Sequence, residues 1–408
     1  MIIERVRAVT AGYPRQFWIL FWGQLINTSG GSMVWPFLTI FLRQKLDVSM
    51  ATIGSLFTIS AISGLIASSI AGPLVDRFGR KGVMVISLVA GSAFFVLRAF
   101  AGTLEQWMLL MAFSGAFGPL YSVGASAMVA DLVEPERRAG AYALLRMINN
   151  LGVAIGPMVG GVVVSQASFD TTFFIAAVTT GVFALLVALL TRETLPAQAA
   201  TAAREGDGGY GPVLQDMRFL PFCATYIISG MAYGFLMIFL AVYAKEGFGV
   251  PEEQYGMIVA SNALMVVFFQ YAVTHWTERR HPLMMLALGS ALYGLGTGSV
   301  ALGRGFPAFL ISMIVLSLGE LIVIPTAQVL TANLAPADMR GRYMSVFGLS
   351  ASLSFGLGPP LGGWLSDNIA PVAIWYGGLV LGLAAAGIFV VMSRFVPVPR
   401  SMATSLPR

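Results

Sequence analysis

Long apolar stretches, separated by short polar segments, constrain this chain more than any other feature. Each is about 20 residues long, the length that a helix needs to cross the hydrocarbon core of a bilayer. Charged residues make up 11% of the 408 residues, against about 25% in an average soluble domain. The pattern predicts an all-α membrane protein with twelve spans, at roughly 17–42, 50–71, 82–103, 106–130, 138–165, 171–191, 217–243, 254–273, 283–303, 307–331, 341–366 and 371–394.

The positions of the basic residues predict how the chain is oriented. With an inner N-terminus and twelve crossings, most of the 24 Lys and Arg residues fall on the inner side, and the outer side holds Arg43, Lys45, Lys245 and Arg304. Arg98 lies near the outer end of span 3, where we expect it to extend to the membrane surface. The positive-inside rule then places both termini in the cytoplasm of a multi-pass plasma (inner) membrane protein. Basic residues spaced as loop anchors do not predict a nucleic-acid partner.

The longest polar stretch lies between spans 6 and 7 and divides the chain in two. We predict an N-terminal six-helix bundle over 1–192, a cytoplasmic linker over 193–215, and a C-terminal six-helix bundle with a tail over 216–408.

A weak internal repeat relates the two halves. The sequence GPMVGG at 156–161 recurs as GPPLGG at 358–363, and EPERRAGAY at 134–142 corresponds to APADMRGRY at 335–343. Span 5 therefore corresponds to span 11. Related halves of six spans predict two bundles, around an axis along the membrane normal, that meet at a midplane cavity.

The segment GPLVDRFGRK at 72–81 follows span 2 on the predicted inner side. Its glycines permit a tight turn and close helix approach, its aspartate can accept hydrogen bonds from a neighbouring Arg or a helix N-terminus, and its basic residues can anchor the loop. A positively charged turn is the simplest interpretation. The complete pattern, however, resembles the signature of the major facilitator superfamily between spans 2 and 3. That resemblance implies that Asp76 and Arg77 latch a cytosolic gate, within a motif formed by Gly72, Asp76, Arg77, Gly79, Arg80 and Lys81.

Small residues recur every four positions in span 5, at Gly152, Gly156 and Gly160. They line one helix face, so a neighbouring helix can pack closely against it. Pro157 removes a backbone donor and favours a bend. Generic helix packing is one interpretation. Together with Gly161, the segment also resembles the antiporter motif of the drug:proton branch of the superfamily, although span 4 lacks the arginine that the branch carries there.

Polar and aromatic residues within the spans predict a lined cavity, with helix–helix contact or interfacial anchoring as the alternative for each. Aromatic faces could stack on a flat or cationic ligand. The candidates are Gln24, Asn27, Trp35, Tyr121, Arg146, Asn149, Asn150, Tyr233 and Asn262.

Glu320 lies within span 10, where a charged carboxylate facing lipid is costly. If Pro307 begins this span, the acid lies about 20 Å along the helix, past the midplane on the cytosolic side. Pro325 cannot donate to the Leu321 carbonyl, so we expect the helix to loosen there. A carboxylate facing the cavity could carry a proton across the membrane or attract a cationic substrate. A structural role for a buried glutamate is the alternative.

These features predict a secondary transporter that exports small amphiphilic or drug-like compounds in exchange for protons. A proton-coupled uptake carrier, or a lipid or metabolite transporter of the same fold, fits the same features. A receptor or scaffold is a third reading, against which the loop motif and Glu320 argue. We find no metal-ligand, nucleophile or phosphate-loop motif in the sequence, so we expect no enzyme and no cofactor. The predicted partners are a small-molecule substrate, protons and the lipid bilayer, with the protein as a monomer.

Overall fold

A computed structural model describes residues 12–195, 211–336 and 339–395, and twelve long helices account for most of these residues. Helix α1 consists of Arg15–Val34, a 3-10 turn at Trp35–Phe37, and Leu38–Leu46. The other helices, with their bounds, are α2 Met50–Phe78, α3 Arg80–Phe100, α4 Leu104–Leu132, α5 Pro135–Gln166, α6 Phe169–Leu190, α7 Phe219–Phe248, α8 Glu252–Thr277, α9 Pro282–Ser299, α10 Gly305–Leu334, α11 Arg340–Asn368 and α12 Ala373–Phe395.

The twelve helices occupy the twelve predicted intervals in order. Ten of them, within the described residues, are long and apolar enough to cross a membrane. The two others are α9 and α11, whose many Gly and Ser residues lower their hydropathy. Most helices extend beyond the predicted apolar core at one or both ends, because helical structure continues into the polar flanks.

The predicted linker over 193–215 lies largely outside the described residues. Its described parts are 193–195, which follow α6, and 211–215, which contain a helical turn at Gly211–Leu214. For residues 196–210, the cytoplasmic linker therefore stays a prediction.

Two compact units make up the structure. The first contains the described residues of 1–37 and 62–207, and the second contains those of 38–61 and 208–408. Compared with the predicted division of the chain, the second unit therefore also includes the last part of α1 and the first part of α2.

The core of the first unit forms where α1, α3, α4, α5 and α6 meet. Large apolar side chains such as Phe17, Met84 and Phe183 are fully buried there. An apolar core alone gives little driving force for helices to associate in lipid, where van der Waals fit and polar contacts decide packing. The small residues and hydrogen bonds between helices therefore carry the specificity of this unit.

In the second unit, the start of α2 packs against α11. The carboxylate of Asp367, in α11, accepts hydrogen bonds from the backbone N–H groups of Met50 at 3.1 Å and Ala51 at 2.7 Å. These N–H groups belong to the first turn of α2 and have no partner within their own helix. An ideal Cβ built on Gly363 would lie 2.5 Å from the Ala51 Cα atom, so the repeated glycine segment is what allows this approach.

Candidate functional site

Glu320 lies in α10 and is half-buried within the second unit. The side-chain amide of Asn262, in α8, donates a hydrogen bond to its Oε2 atom at 2.7 Å. The same amide donates to the Ser317 hydroxyl at 2.9 Å, one turn before Glu320. Asn262 is buried, and its side-chain amide holds the carboxylate and the Ser317 hydroxyl together.

Three tyrosines complete the surroundings of the carboxylate. Tyr233 lies within hydrogen-bonding reach of Glu320, and Tyr226 and Tyr293 lie close enough to interact with it electrostatically. The rings of Tyr233 and Tyr293 are in contact, with centroids 5.2 Å apart. The site therefore combines one acid with hydroxyl groups and aromatic faces, which suits both a proton and the cationic part of a ligand.

The proline of α10 has a smaller effect than the sequence predicts. The helix continues from Gly305 to Leu334 through Pro325. The side-chain amide of Gln270, in α8, donates to the Leu321 carbonyl at 3.1 Å. This bond satisfies the carbonyl that Pro325 leaves without an intrahelical donor, so the helix need not loosen. The sequence around Pro325 gives no sign of this donor to the Leu321 carbonyl, because Gln270 lies on another helix.

A polar network crosses the interior of the first unit. Gln24 donates to Asn149 Oδ1 at 3.0 Å and accepts a bond from the Tyr121 hydroxyl at 2.7 Å. The Thr28 hydroxyl also donates to Asn149 Oδ1, at 3.0 Å. The structure thus brings together three of the predicted cavity-lining residues, Gln24 of α1, Tyr121 of α4 and Asn149 of α5, which are linked by hydrogen bonds.

Other predicted lining residues lie elsewhere. Asn27 accepts a hydrogen bond from the Thr180 hydroxyl at 2.9 Å. Trp35 is in the 3-10 turn and is 41% exposed. In α5, Arg146 is exposed and Asn150 is half-buried.

The 72–81 motif is almost entirely helical rather than a loop. Gly79 alone separates α2 from α3, and its φ of 88° lies in the region that favours glycine. Gly72, by contrast, lies within α2, and an ideal Cβ there would meet nothing within 4 Å in the described part of the chain. The expectation that Gly72 serves a turn or a close approach is therefore wrong.

Arg80 is a buried ion-pair partner, not a surface anchor as predicted. Its guanidinium contacts the carboxylate of Asp76 at 3.2 Å and that of Asp131, at the end of α4, at 3.1 Å. The residue is 8% exposed. The Lys81 ammonium group donates a hydrogen bond to the Thr191 carbonyl at 2.9 Å. Arg77 is exposed. The motif therefore ties together the ends of α2, α3, α4 and α6.

Glu193, which the sequence analysis missed, caps the start of α3. Its carboxylate accepts hydrogen bonds from the backbone N–H groups of Arg80 at 2.9 Å and Lys81 at 3.0 Å. Partial burial alone would raise the pKa of Glu193, but the N–H donors of Leu195, Arg80, Thr194 and Lys81 outweigh it and lower that pKa. An ideal Cβ on Gly79 would lie 2.4 Å from Glu193, so this cap requires glycine.

The three spaced glycines of α5 form the predicted close contact, and their partner is α1. Ideal Cβ atoms on Gly152, Gly156 and Gly160 would lie 2.8, 2.5 and 2.6 Å from the nearest atoms of α1. Those distances are far below ordinary contact, so no side chain fits between the helices. Gly161 is buried in the same helix.

Among the described residues, no group of three or more His, Cys, Asp or Glu side chains is placed to hold a metal ion together.

Membrane-length helices in two compact units, with an acid held by amide and hydroxyl groups inside one of them, define a membrane carrier rather than an enzyme. Comparison with known sequences gives the family. The chain belongs to the Major Facilitator Superfamily, whose family model matches residues 20–220 and 222–406.

Several curated proteins and solved structures are similar to this chain. A "Na(+), Li(+), K(+)/H(+) antiporter" of Planococcus maritimus is 27% identical over 92% of this chain and 93% of its own length. The multidrug resistance protein MdtH of Yersinia enterocolitica is 28% identical, over 84% of this chain and 85% of its own. The crystal structure of the nucleoside transporter NupG has the same fold, with a TM-score of 0.80 at 14% identity, covering 92% of this chain and 99% of that one.

Proposed function

We propose that the protein is a proton-coupled antiporter that exports small amphiphilic compounds by alternating access, with Glu320 as its proton carrier. The observation that carries the proposal is the position of Glu320 inside a membrane-length helix. There its carboxylate accepts a hydrogen bond from Asn262 and lies within reach of Tyr233. Intramembrane acids with such partners commonly belong to proton relays.

The chemistry of the cluster supports exchange of a proton for a substrate. An ionised Glu320 accepts hydrogen bonds from the Asn262 amide, whereas a protonated one offers a donor of its own. The tyrosine rings next to the acid provide apolar and cation-attracting faces. A cationic or polar compound and a proton can therefore compete for the same carboxylate, which is the requirement for antiport through one site.

The multidrug resistance protein among the relatives supports an amphiphilic cargo. The glycine face of α5 resembles the antiporter motif, and this supports export of a compound against inward proton movement rather than uptake of both together. In the same proposal, Asp76 and Arg77 contribute to the gate on the cytosolic side, and the protein works as a monomer in the plasma (inner) membrane.

Exchange of a monovalent cation for protons is a second candidate function. Its support is the relative named as a sodium, lithium and potassium antiporter, which is similar over 92% of this chain. The carboxylate, amide and hydroxyl oxygens around Glu320 are also the hard ligands that such ions prefer.

The test is proton release from proteoliposomes that contain the purified protein and a pH-sensitive dye. We expect a lipophilic cation such as ethidium to drive proton flux in the wild type, and Glu320→Gln to abolish this flux while neutral compounds still bind. Glu105→Gln makes the same chemical change at an exposed position at the start of α4, and it should behave as wild type. Flux driven by Na⁺, Li⁺ or K⁺ alone would favour the second candidate. Uphill export of ethidium by the Glu320→Gln protein would overturn the role of this acid.

A further inference from the structure

A cavity of about 370 Å³ lies in the first unit, and all of its lining residues belong to that unit. Helices α1, α3, α4 and α6 contribute to its walls. Its polar lining includes Asn27, Thr28, Ser87, Ser114 and Arg98, and its aromatic lining includes Phe94, Phe95, Phe117 and Tyr121. The function proposed above does not use this cavity.

Arg98 places a positive charge in the wall of this cavity. The residue is 9% exposed, so the expectation that it extends to the membrane surface is wrong. One guanidinium nitrogen donates to the Ser114 hydroxyl at 2.9 Å, and the group lies over the Phe95 ring, 5.1 Å from its centre. Within the described residues, its Nε atom has no hydrogen-bond partner, and the side chain forms no ion pair.

A buried cation without a counter-ion is unfavourable in protein and in lipid. Arg98 lines the cavity, and a guanidinium is the planar cation that binds a carboxylate or phosphate group through its N–H groups. Hydroxyl groups such as that of Ser114 can donate to the same anion. The walls of the cavity thus supply the partners of an anionic headgroup.

A second cavity, of about 340 Å³, shares the Phe94 side chain with the first as part of its wall. Its lining is almost wholly apolar, from Leu97 and Phe100 of α3 and Leu109, Leu110 and Phe113 of α4. The polar exception is Gln106, whose carbonyl oxygen is occupied by the backbone N–H groups of Gly102 and Thr103. Leu97, Phe100 and Leu109 are at least half exposed on the unit's surface, so a chain in this cavity can continue into the bilayer.

We propose that the two cavities together bind an anionic amphiphile, with its headgroup at Arg98 and its alkyl chain in the apolar cavity beyond Phe94. The charge at Arg98 selects the anion, and the apolar walls select the chain. A free fatty acid and an anionic phospholipid share this chemistry. The site is formed by residues of the first unit and includes none of the residues assigned to proton exchange, so it stands or falls independently of that function.

The experiment measures binding of radiolabelled dodecanoate to the purified full-length protein in a neutral maltoside detergent. We expect saturable binding that unlabelled dodecanoate displaces and dodecanol, which has the same chain without the charge, does not. Displacement by phosphatidylglycerol but not by phosphatidylcholine would indicate a membrane lipid as the natural source of the anion. Failure of phosphatidylglycerol to compete would indicate a free acid.

Two variants test the two parts of the site. Arg98→Gln should weaken dodecanoate binding at least about tenfold, because it removes the charged partner of a buried anion. Gly91→Leu should also weaken binding, because Gly91 lines the first cavity and an ideal Cβ there makes an ordinary 3.7 Å contact with Thr180. The larger side chain then fills the space of the ligand without disturbing the backbone.

Matched controls make the same chemical changes elsewhere. Arg280→Gln removes an exposed arginine that lies over the Trp276 ring at 4.4 Å, and Gly387→Leu adds a side chain where an ideal Cβ meets nothing within 4 Å among the described residues. Both should bind dodecanoate as the wild type does. Equal binding by wild type and Arg98→Gln, or equal displacement by dodecanol, would overturn the proposal. If Arg98→Gln does not fold, unchanged binding by Gly91→Leu would overturn it instead.

Discussion

Replacement of Gly156 by alanine adds one methyl group to the contact between α5 and α1. The built Cβ atom would lie 2.5 Å from Ser32 Cβ and 2.6 Å from the Ser29 carbonyl oxygen. Ordinary contact begins at 3.4 Å, so one helix must move by about 0.9 Å. The obstacle includes backbone, which cannot rotate away as the end of a flexible side chain can.

The expected loss of stability follows from overpacking, which costs about 1–3 kcal/mol when a well-packed contact must expand. Taking about 2 kcal/mol, the first unit should unfold about 4–8 °C lower, given its size. Gly156→Leu should lose more and should also lose transport, because α5 can no longer approach α1. Insertion into the membrane should be largely unaffected, since the helix becomes more apolar.

The measurement is the temperature at which the purified protein loses its monodisperse peak in size-exclusion chromatography. Gly387→Ala is the matched control, because its Cβ meets no described atom within 4 Å and alanine favours a helix by up to about 1 kcal/mol. The two alanine variants should therefore move in opposite directions. Equal melting temperatures for Gly156→Ala and wild type would refute the tight contact between α5 and α1.

Two further predictions concern partners that the structure supplies. Glu193→Gln should cost about 0.5–2 kcal/mol by weakening the cap of α3. Because the pKa of Glu193 is lowered in the folded protein, its contribution is present above the ordinary carboxyl pKa and is lost as pH falls through the folded value. Wild type and variant should therefore converge in melting temperature in acid, and a constant difference would contradict this account. Gln270→Leu should cost about 1–3 kcal/mol, because it leaves the Leu321 carbonyl without a donor. Thr274→Val, which removes only the neighbouring acceptor of Gln270, should cost less in the same melting assay.

The sequence predicted the helices well, because length and apolarity of a membrane span are local properties. The close contact of Gly152, Gly156 and Gly160 was also predictable, since a spacing of four residues places them on one helix face. The identity of the partner helix was not, because nothing in those residues points to α1.

Partners that are distant in sequence explain what was missed. Glu193 caps a helix whose first residue is 113 positions earlier, and Asp131 pairs with Arg80 across 51 positions. The basic residues of the 72–81 motif suggested that Arg80 anchors a loop, whereas its guanidinium pairs with Asp76 of α2 and Asp131 of α4. For Glu320, the sequence showed an unusual acid, but its bond to Asn262 depends on how α8 packs against α10.

The junction at Gly79 has a practical consequence for engineering this protein. A single residue connects α2 to α3, its backbone conformation excludes most other amino acids, and Glu193 occupies the space of a side chain. An epitope tag, a protease site or a fluorescent protein inserted there would separate two helices whose ends share one ion cluster. Reporter groups therefore belong on another connection, where a cysteine for labelling can replace an exposed residue such as Glu134, between α4 and α5.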